Sequence, residues 1–156
     1  MKGDKRIIAE LNKNLKLELG AIAQYVTHAA MASGWGYDKL SAYIMGRARE
    51  EMGHADALID RIIFLEGVPD VKELKGVNVG KTVEEMFAND HAGEEVAIDG
   101  YEKSIQVAIE VKDSGTRELF ERHLKDEERH IDVIEGNQSQ QTQMGIGNYL
   151  TLQVED

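Results

Sequence analysis

Cysteine is absent from this sequence, and its absence excludes several kinds of chemistry. Without thiolates the chain forms no disulfide, iron–sulfur cluster, zinc ribbon or thiol nucleophile. A bound metal ion would therefore be held by carboxylate, imidazole or thioether groups. Proline is nearly absent as well, and Pro69 is the only one. Long stretches on either side of it can therefore form uninterrupted helix.

Long apolar runs and an excess of positive charge are also lacking. No apolar run approaches the roughly 20 residues of a membrane span, and residues 1–6 do not lead into the apolar core of a signal peptide. Lysine and arginine number 18 against 29 aspartates and glutamates, a formal charge of −11. Such a surface repels nucleic acid and anionic membranes and attracts cations. We therefore expect a cytoplasmic protein with neither nucleic acid nor membrane as a partner.

Apolar residues recur at steps of three, four or seven along most of the chain, which is the period of a helix. Residues 67–80, with Pro69 and three glycines, lack this period and predict a connection long enough to run the length of a bundle. Residues 136–141 are polar and predict a linker. We expect one all-α domain over residues 1–156, an up-down-down-up four-helix bundle with one long crossover and a short fifth C-terminal helix. The predicted helices cover about residues 4–33, 38–66, 82–111, 116–136 and 145–153.

One motif, Glu-x-x-His, occurs twice in the sequence, at Glu51–His54 and at Glu127–His130. The two copies lie 76 residues apart, and the same offset takes Glu18 onto Glu94. Each of the four predicted long helices thus places one glutamate within its apolar stripe. Two of the helices add a histidine three residues later, on nearly the same face.

Four ionised carboxylates in one core would repel each other strongly and raise each other's pKa. They become compatible when a compensating charge of about +4 lies among them, which two divalent cations supply. Carboxylate and imidazole ligands without thiolate favour iron or manganese, with zinc as a competitor. The glutamates of the two motifs would bridge the ions, and the other two would be terminal ligands. A single Glu-x-x-His is usually only a solvated pair, but two at one repeat offset favour a dinuclear metal site.

Two tyrosines follow the same repeat, because Tyr25 and Tyr101 lie seven residues after Glu18 and Glu94. Seven residues make nearly two helical turns, so each phenol shares the face of its glutamate. Each phenol could hydrogen-bond a ligand carboxylate or give an electron during oxidation. The alternative is a core aromatic residue with a satisfied hydroxyl.

The chain resembles the bacterioferritins, the haem-binding branch of the ferritin-like superfamily, over essentially its whole length. The segments that carry the resemblance are Met1–Asp4, Gln24–Tyr25, Trp35–Gly36, Glu51–Asp56, Phe64–Pro69, Val83–Met86, Asp126–Glu128 with His130, Gln143–Gly145 and Asn148–Leu150. The ligand pattern of ferritin-like di-iron proteins is already well described. Under this resemblance the ferroxidase ligands are Glu18, Glu51, His54, Glu94, Glu127 and His130, with Glu51 and Glu127 bridging.

The resemblance also implies an assembly, cofactors and partners. It implies a hollow shell of 24 subunits, built from dimers, that oxidises Fe(II) with dioxygen or hydrogen peroxide and stores the Fe(III) mineral. A di-iron centre with two iron ions per subunit would carry out the oxidation. A haem b shared between two subunits would assist iron release, with a small ferredoxin as the expected electron donor. Met52 occupies the position of the methionine that each subunit places on the haem iron.

Met52 also lies on a face of its own. It is about 100° around the helix from Glu51, so it does not share the core face. It falls on a second apolar stripe with Met45, Ile59 and Ile63, and an additional apolar face indicates a subunit interface. Taken alone, Met52 would be an interface packing residue, and the resemblance makes it the haem ligand.

Two features depart from the bacterioferritin pattern. Some bacterioferritins have an additional iron site on the cavity wall, with a histidine at the position of Gly46 and an aspartate at that of Glu50. Glycine has no ligand atom, so we do not expect this inner site here. Residues 138–143 are rich in glutamine, and no function is predicted for them.

Three other functions share parts of this pattern. A di-iron or di-manganese peroxidase of the rubrerythrin type would carry a rubredoxin module, which requires the cysteines that this chain lacks. A haem-free ferritin would keep every feature except the ligand role of Met52. A DNA-coating mini-ferritin would place its metal site between subunits and would carry a basic tail, whereas the tail here is acidic.

Overall fold

The structure, a computed structural model, describes residues 1–155 and contains four long helices and one short one. The helices are α1 Lys5–Gly34, α2 Asp38–Phe64, α3 Val83–Glu110, α4 Ser114–Met144 and α5 Ile146–Thr151. No strand occurs within residues 1–155. The predicted all-α four-helix bundle with one crossover and a short fifth helix is confirmed. No helix in this part of the chain is long and apolar enough to cross a membrane.

Side chains that accept hydrogen bonds from free backbone amides mark the starts of α1, α3 and α4. Asp4 accepts from the backbone N–H of Arg6 at the start of α1. At the start of α3, Thr82 accepts from the backbone N–H of Glu85, and the Glu85 carboxylate accepts from that of Lys81. These two hydrogen bonds, similar to those of a capping box, stabilise the start of the third long helix.

The crossover over residues 65–82 runs along α1. The Asn12 side-chain amide donates to the Val68 carbonyl at 3.1 Å, and further along the Asn78 backbone N–H donates to Gln24 Oε1 at 2.8 Å. The crossover therefore carries the chain from one end of the bundle to the other, and α3 runs parallel to α2. Helices α1 and α4 run in the opposite direction, which is the predicted up-down-down-up order.

Helix α4 is longer than predicted, because it extends through Met144 rather than ending near residue 136. The predicted linker over residues 136–141 is therefore wrong. Glutamine is a good helix former, and one glycine costs only about 1 kcal/mol in a helix. The segment also has a partner, since the Tyr149 hydroxyl of α5 donates to Asn137 Oδ1 at 2.7 Å. The helix ends instead at Gly145, whose φ of 78° suits glycine.

Two apolar clusters fill the bundle, one toward each end. The first includes Leu11 and Phe120, and the second includes Ile44 and Phe87. Between them lies a level at which all four long helices turn glutamates inward, and these glutamates are almost fully buried. The apolar clusters thus hold a charged layer in the middle of the bundle.

Candidate metal centre

The six side chains predicted as metal ligands meet at this level of the bundle. Each long helix contributes one glutamate, and α2 and α4 each add the histidine one turn later. Each of the six is at most 5% exposed, so bulk water does not hydrate their charges. They are Glu18, Glu51, His54, Glu94, Glu127 and His130.

The first half of the centre surrounds His54. Its Nδ1 lies 3.3 Å from Glu18 Oε1, 3.1 Å from Glu51 Oε2 and 3.0 Å from Glu127 Oε1. One imidazole nitrogen therefore faces carboxylates from three different helices.

The second half surrounds His130 in the same way. Its Nδ1 lies 3.0 Å from Glu51 Oε1, 3.2 Å from Glu127 Oε2 and 3.4 Å from Glu94 Oε1. Glu51 and Glu127 thus turn one oxygen toward each half. Glu94 contacts only this half, as Glu18 contacts only the other.

The donor set fits two metal ions. The ligand atoms of each half lie within 4.8 Å of one another, and Glu51 and Glu127 belong to both groups. Several buried atoms here lie at ion-pair distances yet make no aligned hydrogen bond within residues 1–155. They are Glu51 Oε1, both carboxylate oxygens of Glu127 and His130 Nδ1. Buried polar atoms without hydrogen bonds are destabilising, and a metal ion bound by carboxylate and imidazole would satisfy them.

Burial and the crowding of like charges control protonation of the glutamates. Burial and the neighbouring carboxylates raise the pKa of Glu18 well above its usual value. Burial likewise raises the pKa of Glu94 to about 9. Burial would raise the pKa of Glu127 too, but its close contacts with His130 and His54 hold it well below its usual range. Glu94 therefore keeps a proton at neutral pH, Glu18 holds its proton more tightly than an ordinary glutamate, and the bridging Glu127 is ionised.

Both ligand histidines are protonated at neutral pH. Burial alone would lower the pKa of His130, but its contacts with Glu127 and Glu51 raise it to about 12. Burial also opposes protonation of His54, and contacts with Glu127 and Glu18 again raise the pKa. With Glu18 and Glu94 protonated, Glu51 and Glu127 ionised and both imidazoles protonated, the charges of the centre balance. Two divalent cations could replace the four protons without changing that balance.

The two tyrosines hydrogen-bond ligand carboxylates across the bundle. Tyr25 on α1 donates to Glu94 on α3, and Tyr101 on α3 donates to Glu18 on α1. Each phenol thus supports the glutamate of the opposite helix. Burial raises the pKa of both phenols well above the usual value, so both remain donors at neutral pH.

A second pair of carboxylates, which the sequence analysis missed, orients the two histidines from outside. His54 Nε2 lies 3.0 Å from Asp126 Oδ2, and His130 Nε2 lies 2.6 Å from Glu50 Oε2. Such contacts fix the tautomer and orientation of a metal-binding histidine. Arg129 pairs with both carboxylates, at 2.7 Å from Glu50 and 3.3 Å from Asp126. Glu50 and Asp126 are also 76 residues apart, so the repeat offset could have identified them.

A third histidine, His123, adjoins the centre and was not predicted. It is 5% exposed, its ring stacks on that of His54 at 4.1 Å, and its Nδ1 lies 3.0 Å from the Tyr101 hydroxyl oxygen. Burial, together with the positive charge of His54, lowers its pKa to about 3. His123 lies one helical turn before Glu127, so counting back from the motif could have found it.

A cavity of about 130 Å³ adjoins the centre on the side of the crossover. Its lining includes the ligands Glu18 and Glu94, the phenol of Tyr25, and Gly76 and Asn78 of the crossover. A volume of this size holds several waters. The crossover therefore borders a space that reaches the buried carboxylates.

Met52 lies outside the centre, on the surface of α2. Its side chain is 54% exposed, and Ile63 on the same outer stripe is also exposed. An accessible thioether on an apolar surface is compatible with the axial ligand of a haem held between two subunits. The haem role of Met52 stays a prediction.

Comparison with known proteins gives evidence that is independent of this geometry. Residues 8–141 match the ferritin-like domain family. The chain is 40% identical over 135 residues to the bacterioferritin of Brucella melitensis, an alignment that covers 86% of this chain and 84% of the relative. It is 39% identical over 155 residues to the bacterioferritin of Streptomyces coelicolor, covering 99% and 93% of the two chains. For the bacterioferritin of Mycolicibacterium paratuberculosis the identity is 36% over 149 residues, covering 96% and 94%.

Proposed function

The chain belongs to the bacterioferritin family, and from this premise we propose that it stores iron and oxidises Fe(II) at the buried centre. The observation that carries the proposal is the pair of ligand groups that share Glu51 and Glu127, because shared carboxylates can hold two ions side by side. The proposal includes a cytoplasmic location and a single ferritin-like domain over residues 1–156.

Two Fe(II) ions are the substrate of the proposed reaction. Glu51 and Glu127 bridge them, since each turns one oxygen toward each half. The terminal ligands are one glutamate and one histidine for each ion, Glu18 with His54 and Glu94 with His130. The protons held by these terminal ligands leave as the ions bind, because a metal ion competes with a proton for the same lone pair.

Dioxygen or hydrogen peroxide then accepts one electron from each Fe(II) ion. Two electrons and two protons convert peroxide to two waters, or dioxygen to peroxide. Tyr25 and Tyr101 hold the terminal glutamates in place and are candidate donors of a further electron. The Fe(III) product either stays as a di-iron cofactor or passes as mineral into the cavity of a shell of 24 subunits built from dimers.

The inner-wall iron site of some bacterioferritins is not part of this proposal. Gly46 offers no ligand atom, and Glu50 is held by Arg47 and Arg129, each at 2.7 Å. These arginines add positive charge beside the only carboxylate that such a site would use. We infer that iron reaches the storage cavity through the paired centre itself.

The proposed oxidation is tested by removing ligands from both groups. Replacing Glu127→Ala and His130→Ala together should lower the rate of fast Fe(II) oxidation at least about 100-fold, because a bridging and a terminal ligand are lost. Stopped-flow absorbance measures that rate. The matched control is Glu128→Ala, which removes an exposed carboxylate from the same motif and should keep the wild-type rate. Unchanged kinetics in the double variant would contradict the ferroxidase assignment.

Haem b is the second proposed cofactor, with Met52 from each of two subunits on its iron. A haem there would conduct electrons from a small ferredoxin toward stored Fe(III), which aids reduction and release. Met52→Leu should remove haem absorbance from the purified protein, because leucine has no sulfur to ligate iron. Met45→Leu, on the same outer stripe, is the control. Equal haem content in both variants would count against Met52.

A further inference from the structure

The two halves of the centre differ by one imidazole. His123 lies beside the first half and forms, with Glu18 and His54, a third group whose ligand atoms lie within 4.8 Å of one another. The repeat offset places Arg47 at the corresponding position of the second half. Arg47 pairs with Glu50 at 2.7 Å, outside the ligand groups. Only the first half therefore has a second histidine.

His123 is held where a bound ion could reach it. It shares the inward face of α4 with Glu127, one turn further along. Its Nδ1 lies 3.0 Å from the Tyr101 hydroxyl oxygen, and that hydroxyl donates to Glu18. The His123 imidazole and the Glu18 carboxylate therefore contact the same phenol. When His123 binds an ion, its contact with the phenol is replaced by a bond to that ion.

An independent observation points to a ligand in the first half. Glu127 Oε1 lies 3.0 Å from His54 Nδ1 and is fully buried, yet it makes no aligned hydrogen bond in the described part of the chain. Glu127 as a whole is 1% exposed. A buried carboxylate oxygen without a hydrogen bond is suited to a cation.

We propose that His123 is a ligand of the ion held by Glu18 and His54, which makes this half a two-imidazole position and the other half a one-imidazole position. The inference rests on the proposed function, because it concerns the same centre. Imidazole favours zinc and iron over harder cations. The first half should therefore bind such ions more tightly and fill before the second half.

Zinc titration of the iron-free, assembled protein tests whether the first half binds an ion more tightly than the second. Isothermal titration calorimetry should show two zinc ions per subunit, one tight and one weaker. His123→Leu should weaken the tight step by about 10- to 100-fold, as expected when a supporting or direct ligand of a metal is removed, and should leave the weaker step unchanged. The control is Arg122→Leu, which changes the exposed neighbour of His123 on α4 and removes no side chain of the centre, and it should change the tight step by less than about threefold.

Zinc-soaked crystals of the unaltered protein give a second readout that does not depend on the folding of a variant. Anomalous scattering should place a His123 ring nitrogen at about 2.1 Å from the ion beside Glu18. A nitrogen beyond about 3 Å, equal losses in His123→Leu and Arg122→Leu, or no loss in His123→Leu would each overturn the inference. Two bound zinc ions with His123 remote would overturn it and leave the metal centre intact. Slow Fe(II) oxidation despite normal zinc binding would instead contradict the proposed function.

Discussion

The half of the metal centre around His54 and the half around His130 have matching proposed ligands and different surroundings. Both halves supply a terminal glutamate, a Glu-x-x-His motif, a tyrosine and an outer carboxylate at one repeat offset. They differ where His123 corresponds to Arg47 and where Met52 corresponds to Glu128. The six proposed ligands and the two tyrosines face the centre, whereas Met52 and Glu128 are exposed and Arg47 pairs with Glu50 outside the ligand groups. The repeat therefore accounts for the proposed ligands. The positions at which the two copies differ decide which other side chains surround each half.

The largest expected effect comes from disabling one half at a time. Glu18→Ala with His54→Ala, and Glu94→Ala with His130→Ala, each remove the terminal ligands of one ion. Reduction of the oxidant takes one electron from each of two adjacent Fe(II) ions, so both double variants should lose about 100-fold in stopped-flow oxidation rate.

Zinc titration should still find one ion per subunit in each of these variants, which shows that the remaining half is folded. Fast oxidation that survives in either variant would mean that a single half suffices. A loss confined to one variant would show that the two halves do not contribute jointly.

A smaller effect is expected on the stability of the metal-free protein as pH rises from about 6.5 to 9. Folded protein retains protons on His130, with a pKa of about 12, and on Glu94, with a pKa of about 9. The unfolded chain releases these protons near the ordinary values of 6.5 and 4.5. The folded state thus binds more protons in this window, and its stability falls as pH rises.

Circular dichroism in a chelating buffer should show the melting temperature dropping by roughly 5 °C or more across this window. Zinc-loaded protein is the control and should show a flatter profile, because the ions have already displaced the protons. A flat profile in the metal-free protein would contradict the protonation of the terminal ligands.

The smallest expected effect separates the two tyrosines. Tyr25→Phe loses one hydrogen bond to a buried carboxyl, which costs about 1–2 kcal/mol. Tyr101→Phe loses the same kind of bond and also leaves His123 Nδ1 without its 3.0 Å contact, which adds about 1 kcal/mol. Urea denaturation should therefore rank Tyr101→Phe as the less stable variant. Equal losses would show that His123 does not depend on the phenol.

The bundle and the inner ligands were predictable because helical periodicity is local. Glu18 and Glu94 interrupt apolar stripes, and a charged residue at such a position is a recognisable departure within a few turns of sequence. The end of α4 was not predictable in this way, because polar residues at 136–141 give no apolar stripe to follow. That segment is stabilised in part by a contact with Tyr149, which lies in the next helix.

The side chains that complete the centre depend on packing between helices. His123 carries no motif of its own, and its significance arises from the ring of His54 and the phenol of Tyr101, both on other helices. Glu50 and Asp126 look like ordinary surface carboxylates until the helices bring them onto the outer nitrogens of the two histidines. Their shared repeat offset is a sequence signal, but its meaning requires the contact.

By itself the sequence determined the helical class, the crossover and the six inward side chains proposed as ligands, because spacing along one helix decides which residues share its face. Only the tertiary structure decided that Tyr25 donates a hydrogen bond to Glu94 and that Tyr101 donates one to Glu18, since each pair joins two helices far apart in the chain. It also decided that the two halves are unequal, because His123 reaches the centre and Arg47 does not. Periodicity places a residue on a face, and the packing of that face against its neighbours decides what the residue contacts.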